Sequence, residues 1–173
     1  MIKKSQIEII ITGGTIDSYY DVIKDTVVPS NKSAVPSFLK SLKTNDIFSF
    51  HEVCMKDSRS INNKDLGRIL NVINKAHSKE IIITHGTYTM PDTARFLSAN
   101  IKSKDKVVIL TGSMIPLMGF SPSDAPFNLG YSLASVKTLK PGVYLCMNGQ
   151  IFTSSEVAKR ISEGRFVSVF NKN

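Results

Sequence analysis

Two threonines follow glycines at points where apolar runs of the sequence end. Thr15 comes after Gly14, close behind the isoleucines at 9–11, and Thr87 comes after Gly86, close behind the isoleucines at 81–83. A threonine hydroxyl is a weak nucleophile by itself and becomes reactive when a base activates it. Glycine lets the backbone approach a ligand closely, so both turns can also offer backbone N–H groups to one. These two Gly-Thr pairs are the first candidates for a site.

The elements around each pair indicate whether the two can meet. Taken singly, a Gly-Thr pair is more often an ordinary turn or a helix cap. Here each pair follows a β-branched run typical of a strand, and Pro91 suits the first turn of a helix after the second pair. Ligands of open parallel sheets bind outside the carboxyl ends of the strands. We therefore expect Thr15 and Thr87 to face one crevice.

The remaining pattern alternates strands with helices. The clearest helix has Leu66, Ile69, Leu70 and Ile73 on one face, and Asn148-Gly149 is typical of a tight hairpin turn. This predicts an α/β fold with a doubly wound, mostly parallel sheet, helices on both faces, and an antiparallel hairpin near the C-terminus. The predicted strands are 6–12, 48–54, 80–84, 107–110, 142–147 and 150–153, and the predicted helices are 35–42, 63–78, 91–100, 125–138 and 156–161.

One long segment has no clear periodicity. Residues 13–34 are polar and are predicted to be irregular, and within them residues 16–30 are predicted to be the most mobile part of the chain. A loop of this length is usually functional or mobile.

Composition narrows the class of protein. The 173 residues suit one domain, 1–173, and carry a formal charge of +8, but the lysines are scattered and form no basic stripe. We expect no nucleic-acid partner, no membrane partner and a cytoplasmic location. Cys54 and Cys146 are expected to be buried free thiols, and three histidines are too few and too scattered for a metal site of ordinary spacing. We predict no metal and no cofactor.

The motifs, taken together, resemble one family. TGGTI at 12–16 and HGTYTM at 85–90 are similar to the two threonine signatures of bacterial-type L-asparaginases, which usually read TGGTI and HGTDTM. Further matches follow in order at 56–58, 110–114 and 123–129, and with Lys159. The resemblance covers nearly the whole chain. The chain looks like the short members that keep only the amino-terminal catalytic domain, and the resemblance implies the asparaginase fold.

The resemblance also implies roles for particular residues. Thr15 would attack the substrate amide and form an acyl-enzyme, while Thr87 would work with Lys159 as its base. One of two tyrosines in the mobile loop would close the site. Ser58 would hold the α-carboxylate of the substrate. The remaining implied residues are the tyrosines Tyr19 and Tyr20, and Gly14 and Gly86, whose turns offer backbone N–H groups to an oxyanion.

Two residues depart from the family pattern. Tyr88 stands where the family has an aspartate that belongs to the threonine-lysine group and meets the substrate's α-ammonium. An unperturbed phenol has a pKa of about 10 and cannot replace that anion. Arg59 stands where longer members often have an uncharged polar contact. We expect poor hydrolysis of L-asparagine and expect Tyr88→Asp to improve it.

Three interpretations follow. The first is an asparaginase-like amidohydrolase acting on an amino-acid amide, expected to form a homo-oligomer, either a dimer or a tetramer. The second is a catalytically degenerate homologue that binds a small amino-acid-like ligand or a protein. The third, a nucleotide binder, is the weakest, because no Walker A lysine follows Gly13-Gly14 and no GxGxxG follows the first strand.

Overall fold

The structure is a computed structural model that describes residues 6–170. Its strands are β1 (Gln6–Gly13), β2 (Ser18–Asp21), β3 (Thr26–Pro29), β4 (Ile47–Lys56), β5 (Glu80–Thr84), β6 (Val107–Thr111), β7 (Gly142–Met147), β8 (Gln150–Thr153), β9 (Val157–Arg160) and β10 (Arg165–Ser168). Its α-helices are α1 (Val35–Ser41), α2 (Asn63–Lys75), α3 (Met90–Asn100) and α4 (Ala125–Ser135). Short 3₁₀ helices cover Thr15–Asp17, Ser58–Ser60 and Ile161–Glu163.

Six strands form the main sheet in the order β4-β1-β5-β6-β7-β8. The first four pairings are parallel, and β8 returns antiparallel to β7. The chain leaves β1 toward β4 and then crosses back to β5, so the direction of winding reverses between β1 and β5. In open α/β sheets, ligands bind at such a reversal, outside the carboxyl ends of the strands. The loops after β1 and β5 therefore lie where a site is expected.

The central strands are buried because helices cover both faces of the sheet. Ile69 and Ile73 of α2 and Leu97 of α3 belong to one apolar cluster, while Leu39 of α1 and Leu129 of α4 belong to a second. Within β1 and β5 almost every residue is buried, as is usual for parallel strands covered on both faces. The predicted doubly wound, mostly parallel sheet with a returning hairpin is confirmed.

Hydrogen bonds to two side chains fix the residue at which α2 begins. The Asn62 side chain accepts hydrogen bonds from the backbone of Lys64 and Asp65, and the Asp65 carboxylate accepts from the Asn62 backbone. This capping box satisfies N–H groups that a helix start would otherwise leave free. Asp65 also accepts from Lys56 Nζ at 2.7 Å, which ties the end of β4 to α2 and fixes the turn that carries Ser58.

Two sequence-based expectations of secondary structure were wrong. The short helix at 156–161 is instead β9, which pairs antiparallel with β10. The segment 13–34 is not irregular throughout, because β2 and β3 form a hairpin within it. In both places a pairing partner along the chain replaced the local preference. The mobility of residues 16–30 stays a prediction.

A bilayer-spanning segment would need a long apolar helix. Between residues 6 and 170, none of the helices is both long and apolar enough to cross a membrane.

Candidate active site

The two Gly-Thr turns are in backbone contact. Gly14 has a φ of 85°, which favours glycine, and a Cβ placed on it would lie 2.3 Å from the Cα of Gly86. The Gly14 N–H donates to the Lys56 carbonyl at 2.9 Å, so the β1 turn is also tied to the end of β4. Any side chain at position 14 would push the turns apart. The glycine therefore brings the turns that carry Thr15 and Thr87 together.

A third turn, at Ser58–Ser60, completes this edge of the sheet. A Cβ on Gly86 would lie 2.9 Å from Ser58 Oγ, so Ser58 packs directly on the second Gly-Thr turn. Thr89 holds it there, because its hydroxyl donates to the Ser58 carbonyl at 2.9 Å and its N–H donates to Ser58 Oγ at 3.4 Å. Ser58 is buried, and it lines the same pocket as the two threonines.

Lys159 reaches the site from β9, far along the chain. Its Nζ donates a hydrogen bond of 2.7 Å to Thr87 Oγ1. Arg95 of α3 donates to the Val157 carbonyl at 3.2 Å and so anchors β9 beside α3. Partial burial lowers the pKa of Lys159 below its ordinary value, and the nearby Arg59 cation lowers it further, against a smaller raising effect of Asp57. A lysine held in this way is suited to lose its proton and act as a base.

These turns and β9 enclose a small open pocket of about 190 Å³. Backbone from both glycine turns, hydroxyl groups and charged side chains line it together. The lining residues are Gly14, Thr15, Asp57, Ser58, Arg59, Gly86, Thr87, Tyr88 and Lys159. Eight of the ten site residues predicted from the sequence are thus brought together, and Asp57 joins them.

The charges at the pocket mouth are paired with one another. Asp57 accepts hydrogen bonds from Arg59 Nε at 3.0 Å and Arg59 Nη2 at 2.9 Å, and this contact holds the pKa of Asp57 below its usual range. The Arg59 guanidinium lies 5.5 Å from the centroid of the Tyr88 ring, within the range of a cation–π contact. Tyr88 is 52% exposed, so the phenol forms part of the rim.

The structure places Tyr19 and Tyr20 outside the pocket lining. Both lie on β2 and are about half exposed, and the Tyr20 hydroxyl bonds to Asp25 within the same hairpin. Their role in closing the site stays a prediction, and it requires the hairpin to move toward the pocket. The hairpin begins directly after Asp17. The buried Asp17 carboxylate accepts hydrogen bonds from Ser33 Oγ and the Ala34 N–H, both at 2.9 Å.

Sequence reasoning gave no role to Asp17 or to Thr12. Burial raises the pKa of Asp17, and its second carboxylate oxygen has no partner within the described residues. Asp17 thus fastens the base of the hairpin two residues after Thr15. The Thr12 hydroxyl donates to the Thr84 carbonyl at 2.9 Å and joins the ends of β1 and β5. Thr12 opens the first threonine motif and Asp17 directly follows it, and these positions were the available signal.

The His85 ring supports the second Gly-Thr turn, Gly86-Thr87, by hydrogen bonding. It is fully buried, its Nδ1 lies 2.7 Å from the Gly86 carbonyl, and its Nε2 lies 3.0 Å from Thr93 Oγ1. Burial lowers the pKa of His85 from 6.5 to about 4. The ring is therefore neutral near pH 7 and acts as a hydrogen-bonding support for Gly86.

This buried histidine should make the protein sensitive to acid. The unfolded chain takes up a proton near pH 6.5 and the folded protein only near pH 4, so the free energy of unfolding falls as the pH drops through that window. The full difference corresponds to about 3 kcal/mol at most. We expect urea unfolding at pH 7 and pH 4.5 to show this loss in wild type and a smaller loss in His85→Gln. Equal acid sensitivity of the two proteins would contradict the assignment.

Metal binding has no visible basis in the described part of the chain. Among residues 6–170, no group of three or more histidine, cysteine, aspartate or glutamate side chains is placed to hold a metal ion. The expectations of no metal, no cofactor and no bound nucleotide remain predictions. Stoichiometric zinc in the purified protein would overturn the first of them.

Comparisons with known proteins agree on one family. Residues 6–169 match the family model described as Asparaginase, N-terminal. The chain is 32% identical over 170 residues to the glutaminase-asparaginase of Acinetobacter glutaminasificans, covering 92% of this chain and 51% of that protein.

Solved structures give the same picture. The thermostable L-asparaginase from Thermococcus kodakarensis superposes with a TM-score of 0.81 at 29% identity, over 94% of this chain and 51% of that one. The probable cytoplasmic L-asparaginase from Campylobacter jejuni superposes with a TM-score of 0.80 at 29% identity, over 95% and 53%. The chain thus spans about half the length of these relatives.

Proposed function

The chain belongs to the asparaginase family, and from this we propose that it is an amidohydrolase that cleaves the side-chain amide of a small amino-acid-like substrate and releases ammonia. The observation that carries the proposal is the 2.7 Å hydrogen bond between Lys159 and Thr87, in a pocket that Thr15 also lines. A hydroxyl in contact with a lysine of lowered pKa is a common arrangement for proton transfer in acyl-transfer enzymes.

In the proposed mechanism, Thr15 is the nucleophile. Its hydroxyl oxygen attacks the amide carbon and gives up its proton, the C–N bond breaks, the nitrogen takes up that proton by way of Thr87 and leaves as ammonia, and an ester on Thr15 remains. Water then adds to the ester, which restores the hydroxyl and releases the carboxylic acid. Backbone N–H groups of the two glycine turns, other than the Gly14 N–H that donates to the Lys56 carbonyl, would stabilise the oxyanion in both steps, because the turns lie against each other at the pocket.

Lys159 would serve as the base through Thr87. In its neutral form the amine can accept the Thr87 hydroxyl proton, and Thr87 can then take a proton from Thr15 or from the attacking water. Partial burial and the Arg59 cation favour the neutral amine by lowering the pKa of Lys159. Ser58 would bind a carboxylate of the substrate, because it lines the pocket and its hydroxyl lies beside Gly86.

A second candidate is a binding protein that has lost catalysis. The pairing of Asp57 with Arg59, and the stacking of Arg59 on Tyr88, occupy charged groups that an amino-acid substrate could otherwise use. Such a protein would hold an amino-acid-like ligand, or a protein partner, and release no ammonia. A dimer or tetramer and a cytoplasmic location also remain expectations, and sedimentation velocity and cell fractionation would test them.

Trapping the covalent intermediate tests the proposal most directly. Rapid acid quenching of the enzyme with excess amide substrate should leave the acyl group on the peptide that contains Thr15, as detected by mass spectrometry. The Thr15→Ala variant should show no adduct there. An adduct on Thr87 instead would exchange the roles of the two threonines, and no adduct and no ammonia from any small amide would favour the binding protein.

A further inference from the structure

The pocket is lined by more positively charged than negatively charged side chains. Arg59 and Lys159 contribute two cations, and Asp57 contributes the one carboxylate among the lining residues. Asp57 is already engaged, because it accepts three hydrogen bonds from Arg59, from Nε, from Nη2 and from the backbone N–H at 2.8 Å. The Arg59–Asp57 pair is neutral as a unit. A protonated Lys159 therefore leaves the pocket with a net positive charge.

Tyr88 keeps this arrangement in place. Its ring lies against the Arg59 guanidinium, with 5.5 Å between the ring centroid and the guanidinium carbon, so Arg59 is held between the phenol and the Asp57 carboxylate. A guanidinium has five N–H donors, and the contacts to Asp57 leave others free. Arg59 and Ser58 both line the pocket, and guanidinium N–H and hydroxyl donors suit a carboxylate ligand.

Among the described residues that line the pocket, a ligand ammonium would meet no carboxylate that is not already paired with a cation. Other carboxylates of the described residues lie outside the lining: Glu156 accepts from Thr153, Asp92 bonds to Arg95, and the buried Asp17 accepts from Ser33 and Ala34. An ammonium on the ligand would face Arg59 and, whenever Lys159 is protonated, Lys159 as well, and like charges at close range raise the free energy of the complex. The pocket thus favours a negative charge and disfavours a positive one.

Resting on the amidohydrolase function proposed above, we propose that the substrate is the ω-amide of a dicarboxylic acid that carries no α-ammonium group. Succinamate, the monoamide of succinic acid, is the simplest example. Its free carboxylate binds Ser58 and Arg59, and its amide lies between Thr15 and Thr87. Hydrolysis breaks the C–N bond, adds the elements of water, and yields succinate and ammonia.

Two measurements on the wild-type protein separate ligand choice from catalysis. The first compares kcat/KM for ammonia release from succinamate and from L-asparagine, and we expect succinamate to be preferred by at least about tenfold, since like charges oppose the ammonium. The second compares binding of the two product acids, succinate and L-aspartate, by calorimetry. We expect succinate to bind more tightly by a similar factor.

The Arg59→Gln variant tests the cause of the preference. It removes one cation and frees the Asp57 carboxylate to meet an ammonium, so the preference for succinate over L-aspartate should fall by about two- to tenfold, a modest factor because Arg59 is solvent-exposed. Arg165→Gln is the matched control. Arg165 also pairs with a carboxylate two residues earlier, Glu163, but it lies outside the pocket lining, so the preference should not change.

The outcomes distinguish the two proposals. Preferred binding of succinate without ammonia from either amide supports the ligand class and overturns the amidohydrolase function. Preferred hydrolysis of L-asparagine supports the amidohydrolase and overturns the ligand class. Binding of neither acid, or tighter binding of L-aspartate, also overturns the ligand class, as does an equal loss of preference in Arg59→Gln and Arg165→Gln.

Discussion

Replacing Lys159 by methionine is expected to lower kcat for amide hydrolysis by roughly 10²- to 10⁴-fold, the usual contribution of a positioned general base. Methionine fills a similar volume but cannot take a proton from Thr87, whose hydroxyl contacts Lys159 at 2.7 Å. Steady-state ammonia release from succinamate and from L-asparagine is the measurement. Because Lys159 is only partly buried, the fold should survive, and circular dichroism with thermal unfolding checks this.

The Lys159→Arg variant separates the base from a simple hydrogen-bond donor. Arginine keeps the positive charge and can donate to Thr87, but it does not lose its proton near neutral pH. Activity as low as in Lys159→Met supports the base, whereas near-normal activity would refute it. Lys137→Met serves as the control, because Lys137 bonds to Asp46 away from the pocket.

The pH profile of the wild type gives a second readout of the same group. The neutral amine is the active form, so kcat/KM should rise with pH and level off above the pKa of Lys159. Because that pKa is lowered from 10.5, the profile should level off below this value. Arg59→Gln removes a nearby cation that lowers the pKa, so the rising limb should move to higher pH. A shift to lower pH would contradict Lys159 as the titrating base.

Replacing Tyr88 by aspartate is expected to raise kcat/KM for L-asparagine by roughly 10- to 100-fold, because it adds an anion where the substrate ammonium would lie. If the pair formed by the new carboxylate and the substrate ammonium were fully buried, the expected gain in kcat/KM would be larger. The structure lowers the expectation, because Tyr88 is 52% exposed and solvent screens the new contact. The expected change is a gain of activity, which a general loss of stability could not produce.

The Tyr88→Asn variant is the matched control for this gain. Asparagine has nearly the shape of aspartate but no charge, so it should leave the rate on L-asparagine close to that of wild type. In Tyr88→Asp the new carboxylate can also pair with Arg59, so the double variant Tyr88→Asp/Arg59→Gln should gain more than the two single changes predict. Equal rates for Tyr88→Asp and Tyr88→Asn would show that bulk, and not charge, limits the wild type. Tyr88→Asp/Thr15→Ala should be inactive.

Local sequence determined most of the sheet. The isoleucine runs at 9–11 and 81–83 could only be satisfied as buried strands, and the apolar face of Ile69 and Ile73 required a helix over the sheet. The local sequence did not determine the secondary structure of residues 157–160. Their pattern suited a short helix, but backbone pairing with β10 made them a strand. A pairing partner of this kind is a tertiary contact, and no local preference records it.

In the site, too, some features follow from the sequence and others depend on tertiary contacts. Thr15 and Thr87 follow strands of one sheet, and the carboxyl ends of parallel strands meet at one edge, so the sequence was sufficient to bring them together, whereas Ser58 was named only from the resemblance. The resemblance paired Lys159 with Thr87, but only the tertiary structure brought this lysine, 72 residues further along the chain, into contact with the Thr87 hydroxyl, and only it placed Arg59 between Asp57 and the ring of Tyr88. Those contacts depend on side-chain direction and on the docking of β9 beside α3. Both are set by packing across the molecule, and neither is encoded by the type or spacing of neighbouring residues.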